Sequence, residues 1–180
     1  GANSYTTESW NAYTEAYDNL TEALTNNNLS GIAALNSAYD EAKANLVAAS
    51  VSLDVAWQTM SFTYETDSAR WDPQTHTYVD DGGGSSSGWV ANDNSNVIEL
   101  TNNSNIALDV GFEFSRDDSV DGISGISGAF YSNDSAVTTV ALDKGGAAQS
   151  VSFMLEGAPT ASLDNVKCGI VTLTVTRRKE

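Results

Sequence analysis

Residues Asn45 to Gln58 read NLVAASVSLDVAWQ, and across them the spacing of apolar residues changes. Before this stretch apolar residues recur in steps of three and four. From Val51 onward they alternate. Steps of three and four put one stripe on a helix, and alternation puts one face on a strand. The change falls near Ala49 and divides the chain into 1–49, read as helical, and 50–180, read as all-β.

In the first part the apolar stripe is Trp10, Tyr13, Ala16, Tyr17, Leu20, Ala23 and Leu24. Thr6 is placed to cap this helix, and Glu8 in the first turn suits its dipole. TNNNLSG (Thr25 to Gly31) stops it. A second stripe follows at Ile32, Leu35, Ala38, Tyr39, Ala42 and Leu46, with Ser30 or Asn28 as its cap. Together these form an antiparallel helical hairpin. Two helices alone bury too little apolar area to stand in water, so the hairpin is expected to pack on another element.

The second part carries short runs rich in Val, Ile, Thr, Phe and Tyr: VSLDVAWQ, MSFTY, THTYV, GWV, VIELT, IALDVGFEF, AVTTVAL, QSVSFML and GIVTLTVT. Each is bounded by Gly, Asn, Asp or Ser, as strands are. Eight or nine such strands with no helical pattern between them predict an antiparallel sandwich. TNNSN (Thr101 to Asn105) is read as a tight turn in which Asn tolerates positive φ. DDGGGSSSG (Asp80 to Gly88) is read as a surface loop. Trp57, Phe62, Tyr64, Phe112, Phe114 and Phe153 are expected in the core, with Trp71 and Trp89 flanking turns where a sugar ring could stack. The fold class is therefore α+β, an N-terminal antiparallel helical hairpin packed on a C-terminal antiparallel β-sandwich.

The chain has 180 residues, with 24 acidic and 8 basic side chains and a net charge of -16. No basic stripe exists to neutralise phosphate, so nucleic acid is excluded as a partner. No apolar run approaches the roughly 20 residues that span a bilayer, so no membrane insertion is expected. The GANS start reads as the boundary of a module excised from a longer chain, and RRKE (Arg177 to Glu180) as a linker to a neighbouring module. The single cysteine, Cys168, excludes an intrachain disulfide and is expected to be a small buried residue of the last strand.

The residues of catalysis are largely missing. His76 is the only histidine, which excludes a multi-histidine zinc site, and it is expected on a strand face with Tyr78. Asp80 with Asp81, and Asp117 with Asp118, sit in polar turns where solvated carboxylates are ordinary. SRDDSVDG (Ser115 to Gly122) gathers three carboxylates beside a glycine, as calcium loops do. It lacks the spacing and closing Glu of an EF-hand, and is read as a solvated turn. No catalytic residue, metal or cofactor is expected.

The aromatic residues of the hairpin point elsewhere. At about 100° per residue, Trp10, Tyr13, Tyr17, Leu20 and Leu24 share one face. Trp10 and Leu20 are expected inside, with Tyr13 and Tyr17 toward its edge. Glu15, Asp18, Glu22, Asp40 and Glu41 surround them. Tyrosine offers large contact area at low entropic cost. Tyr13, Tyr17, Asp18, Tyr39 and Asp40 are therefore the candidate protein-binding residues.

SYTTESWNAYTEAYDNLTEAL (Ser4 to Leu24) resembles the first helix of the FIVAR-type modules of Gram-positive cell-surface proteins. Tyr5, Thr6, Ser9, Trp10, Ala16, Leu20, Ala23 and Leu24 carry the resemblance, and Ala38, Ala42 and Leu46 extend it to the second helix. Family members often have Pro where Thr7 sits, and a longer second helix. The remainder is similar in style to β-sandwich modules of gut Firmicutes surface proteins, through MSFTYETDSARWDPQTHTY (Met60 to Tyr78), LTNNSN (Leu100 to Asn105) and GIVTLTVT (Gly169 to Thr176). The resemblance implies an extracellular, wall-attached protein without enzymatic activity. It implies a host protein as partner, with immunoglobulin, bound through Fab, preferred. A structural spacer in an adhesin stalk and a glycan-binding sandwich are the other roles it allows.

Overall fold

The computed structural model describes residues 1–66, 69–80 and 88–178, with the backbone alone for 69–72 and 77–80. Two helices lead, α1 (Thr7–Thr25) and α2 (Ile32–Ala44). Twelve strands follow among the described residues: β1 (Leu53–Ala56), β2 (Phe62–Glu65), β3 (Ala69–Asp72), β4 (Thr77–Asp80), β5 (Gly88–Ala91), β6 (Val97–Asn102), β7 (Leu108–Arg116), β8 (Ser127–Ser132), β9 (Ser135–Val137), β10 (Thr139–Leu142), β11 (Gln149–Glu156) and β12 (Gly169–Arg177). The fold is α+β, with a helical hairpin ahead of antiparallel sheets.

A five-stranded sheet runs β1-β6-β11-β8-β9 and a three-stranded sheet runs β10-β7-β12. β2 pairs with β5, and β3 with β4. The core lies between the two larger sheets because every second residue points inward. Ile98, Leu100, Val151, Phe153, Leu155 and Phe130 come from the five-stranded sheet, and Val110, Phe112, Val140 and Leu142 from the other. Ile123 and Ile126 plug the space from the β7–β8 connection. Each such side chain contributes about 1.5–3 kcal/mol by leaving water.

Three strands escape the alternation count, the first being β3, which none of the expected runs covers. SGAFYS forms β8, and its hairpin to β9 turns at Asn133 and Asp134 with φ of 48° and 60°. Positive φ at both central residues makes a two-residue turn whose twist matches the strands. AVTTVAL, read as one strand, is two. β9 pairs with β8, and β10 pairs with β7 in the other sheet. The chain changes sheets at Thr138, whose carbonyl accepts from Phe112 N.

TNNSN also differs from expectation. It carries the chain from β6 to β7, from one sheet to the other, and none of its asparagines has positive φ. Their side chains act instead. Asn102 is 2 % exposed, and its Nδ2 donates to the carbonyls of Ile106, Leu142 and Asp143 at 3.0–3.2 Å. Its Oδ1 accepts from Ser104 N at 2.9 Å. Asn105 accepts from Ser50 N and donates to Ala48 O, both at 2.8 Å. Ser104 Oγ accepts from Ser52 N and donates to Ser52 O. The crossover thus grips residues 48–52, the segment that leaves the hairpin.

The hairpin is closed at its base. Thr6 N donates to Val47 O at 2.8 Å, Val47 N donates to Ser9 Oγ at 3.1 Å, and Tyr5 bridges to Ala48. Thr6 holds the N-cap position as expected, but its hydroxyl donates to Ser9 rather than accepting from the first turn. α2 is capped by Gly31 at φ 80°, not by Ser30 or Asn28. Glu8 pairs with Lys144, and Arg177 donates to Thr7 Oγ1 at 3.2 Å and Ala2 O at 3.4 Å. Arg178 pairs with Asp143. Arg177 and Arg178 therefore belong to the fold rather than to a free linker.

Asn102→Ala removes the donor from the buried bonds to Ile106 O and Leu142 O and the part-buried bond to Asp143 O, and is expected to lower the unfolding free energy by about 3 kcal/mol in urea titration. Gly128→Ala places a Cβ 2.5 Å from Phe153 Cε2 and 2.8 Å from Phe114 Cδ1. The same titration is expected to record a loss of about 1–3 kcal/mol from this overpacking.

Candidate functional site

Neither helix of the hairpin contains a fully buried residue. Among the described residues no third layer covers it, and its hydrogen bonds to the rest of the chain gather at the base. In place of a core the helices share a run of rings. Tyr5 stacks on Trp10 with centroids 5.9 Å apart, and Trp10 lies 5.4 Å from Tyr13. Tyr13 lies 6.4 Å from Tyr17 and 5.6 Å from Tyr39, and Tyr17 lies 6.2 Å from Tyr39. These separations suit offset and edge contacts, worth about 0.5–1.5 kcal/mol per pair.

Three of the five candidate residues, Tyr13, Tyr17 and Tyr39, therefore meet as one cluster. Tyr13 and Tyr39 are half-buried and Tyr17 is 49% exposed. Asp18 and Asp40 are exposed, and Asp40 accepts from Asn36 Nδ2 at 3.1 Å. Glu15, Glu22 and Glu41 are exposed as well. Lys43 reaches over the Tyr39 ring at 5.8 Å. The Tyr39 hydroxyl first, then desolvation, hold the Tyr13 phenol above its ordinary value. Trp10 and Leu20, expected inside, are only half-buried, because two helices cannot enclose a face between them. Tyr5 and Trp10 extend the cluster toward the base. The three-and-four spacing marks Trp10, but Tyr5 precedes α1 and joins through the backbone bridge to Ala48.

A second feature lies on the sheets. A cavity of about 1050 Å³ opens beside β2, lined by Trp57, Met60, Phe62, Trp89, Phe153 and Leu155 among others. Trp57 is 51% exposed at its edge, against the expectation that it lies in the core. The chain leaves the five-stranded sheet just after β1, so Trp57 falls outside the alternation. Trp89 is no free platform for a sugar, since its Nε1 donates to Gly157 O at 2.9 Å and its ring meets Tyr64 edge-on at 5.1 Å. The side chain of Trp71, the side chain of Tyr78 and Asp81 lie outside the described residues, as does the loop 81–87.

The remaining polar groups are engaged in local structure. His76 sits in the turn before β4 with φ 56°, not on a strand face. Asp117 accepts from Ser119 N and Ser119 Oγ, and these bonds hold its carboxyl below the usual range. Asp118 pairs with Arg116. Among the described residues no group of three or more His, Cys, Asp or Glu could hold a metal. Cys168 precedes β12, half-buried, and burial pushes its thiol up. Among the described residues no helix is long and apolar enough to cross a membrane.

Compared with protein-family models, with curated proteins and with solved structures, the chain matches none of them.

The Tyr13 phenol should ionise above 10.0, and Tyr39→Phe should return it toward that value in a spectrophotometric titration. The folded value lies above the unfolded one. The associated stabilisation is therefore present at neutral pH and is lost as pH rises through the folded value. A Tyr13 titration unchanged by Tyr39→Phe would exclude the hydroxyl contact.

Proposed function

We propose that this chain is a non-enzymatic module that binds another protein through the hairpin. Tyr13, Tyr17 and Tyr39 serve as anchors, and Asp18 and Asp40 as charges at the rim. The observation that carries this reading is the joining of three tyrosine rings, 5.6–6.4 Å apart, on a hairpin whose helices hold no fully buried residue. Rings already packed on one another lose little freedom when a partner covers them, and a pre-ordered aromatic patch is what a binding hot spot needs. The acids beside them favour a partner with a basic surface and speed its arrival.

The resemblance of Ser4 to Leu24 to wall-attached modules directs the choice of partner toward a host protein, immunoglobulin first, and the place of action toward the bacterial surface. The spacer role is less well supported. Arg177 is hydrogen-bonded to the carbonyl of Ala2, so any chain on either side enters and leaves at one place. A rod-like stalk needs its ends far apart.

Biolayer interferometry against immobilised human Fab and Fc at physiological salt tests this reading. Saturable binding to Fab is expected, weakened at least about tenfold by Tyr13→Ala or Tyr17→Ala. Asp18→Lys combined with Asp40→Lys should slow association and flatten its salt dependence. No binding to either fragment at tens of micromolar, roughly 6 kcal/mol of affinity, would remove immunoglobulin as the partner.

A further inference from the structure

The cavity beside β2 has strand edges for two of its walls. Among the described residues β2 pairs only with β5, and β12 only with β7. Phe62, Thr63 and Tyr64 line the cavity from β2, and Gly169 and Val171 line it from β12. Phe114, Phe153 and Leu155 form its apolar floor.

The phase of each ladder shows what these edges present. Asp117 N donates to Cys168 O, and Arg178 N donates to Ala107 O. In an antiparallel pair the bonded positions alternate, so residues 170, 172, 174 and 176 turn their backbone groups toward β7. Val171, Leu173 and Val175 then turn their N–H and C=O toward the open edge. Likewise Asn92 N donates to Ser61 O, which assigns Thr63 to the β5 ladder and leaves Phe62 and Tyr64 facing outward. The cavity is therefore bordered by outward-facing backbone groups of β2 at Phe62 and Tyr64 and of β12 at Val171, and among the described residues no strand pairs with either edge. Its floor takes apolar side chains.

We propose that an extended peptide segment of a partner protein, apolar at alternate positions and basic overall, adds as a strand in the groove between β2 and β12. A strand satisfies both edges with its own backbone and sends every second side chain to the floor. A hydrocarbon ligand would fill the floor and leave both edges unpaired. A second copy of this chain brings a net charge of -16 to a surface of the same sign. The segment Asp81 to Ser87 has no apolar side chain to offer. Glu65 and Asp164, both exposed, flank the lining residues, against one lysine, Lys167, in the lining itself. This site is separate from the tyrosine cluster and stands whether or not the hairpin binds protein.

Short random peptides displayed on phage, selected against the purified chain, test the proposal. Enriched sequences are expected to alternate apolar residues and to carry net positive charge. The corresponding synthetic peptides should slow amide hydrogen exchange at Val171, Leu173, Phe62 and Tyr64 at least about tenfold, as read by NMR. Val171→Pro removes an outward N–H without touching the β7 ladder, and Val166→Asp puts a charge at the exposed rim. Each should weaken peptide binding at least about tenfold with the fold intact by circular dichroism. The proposal is overturned if no sequence is enriched, or if enriched peptides leave those four amides unprotected. It falls to a second copy if the same amides are protected in a dimer without peptide. It falls to an apolar ligand if palmitate saturates the groove and no peptide does.

Discussion

The side-chain amide of Asn102 holds the two sheets in register. Its Nδ2 reaches three carbonyls, at Ile106, Leu142 and Asp143, and its Oδ1 fixes Ser104 N. One residue thereby ties the end of β6 to the start of β7 and to the end of β10. A buried carbonyl without a partner costs about 1–3 kcal/mol, so the crossover can be buried only because this amide is there. The next residues carry the restraint outward. Ser104 and Asn105 hold residues 48–52, and Thr6 and Ser9 hold Val47. A chain of polar contacts runs from the interior of the sandwich to the first turn of α1.

That chain of contacts explains why the hairpin can do without a core. Its position is set at the base, by Thr6 and Ser9 on Val47, Arg177 on Thr7 and Glu8 with Lys144. Its helices are held to each other by rings rather than by fully buried aliphatic residues. Leu24 and Leu29 near the tip remain 57% and 60% exposed. The rings thus join the two helices while part of their surface, most of all that of Tyr17, stays exposed. The net charge of -16 opposes the approach of one copy to another.

The sandwich has the opposite arrangement, a dry centre with unfinished edges. β8 and β11 are flanked on both sides, whereas among the described residues β12 and β2 have a partner on one side only. Exposed edges invite pairing, and proteins commonly blunt them with charge, proline or bulges. The outward-facing groups of β12 belong to Val171, Leu173 and Val175, which supply none of these. At this edge Val171 lines the apolar cavity beside β2.

The two helices and most of the alternating strands were legible in the sequence, because local spacing dictates which side of an element can be buried. The same spacing put Tyr13 and Tyr17 on one face of α1, and the packing of α2 on α1 brought Tyr39 to them. Tertiary structure decided what spacing cannot express. AVTTVAL became two strands in two sheets because a partner existed on each side of Thr138. Trp57 lost its place in the core because the chain leaves the sheet after Ala56. Trp10 and Leu20 stayed half-exposed because no third layer arrived to cover them. The asparagines of LTNNSN read as turn formers, and only the meeting of β6, β10 and the hairpin exit gave their amides carbonyls to hold. Periodicity is a property of one segment, whereas burial and hydrogen bonding need a second segment in place.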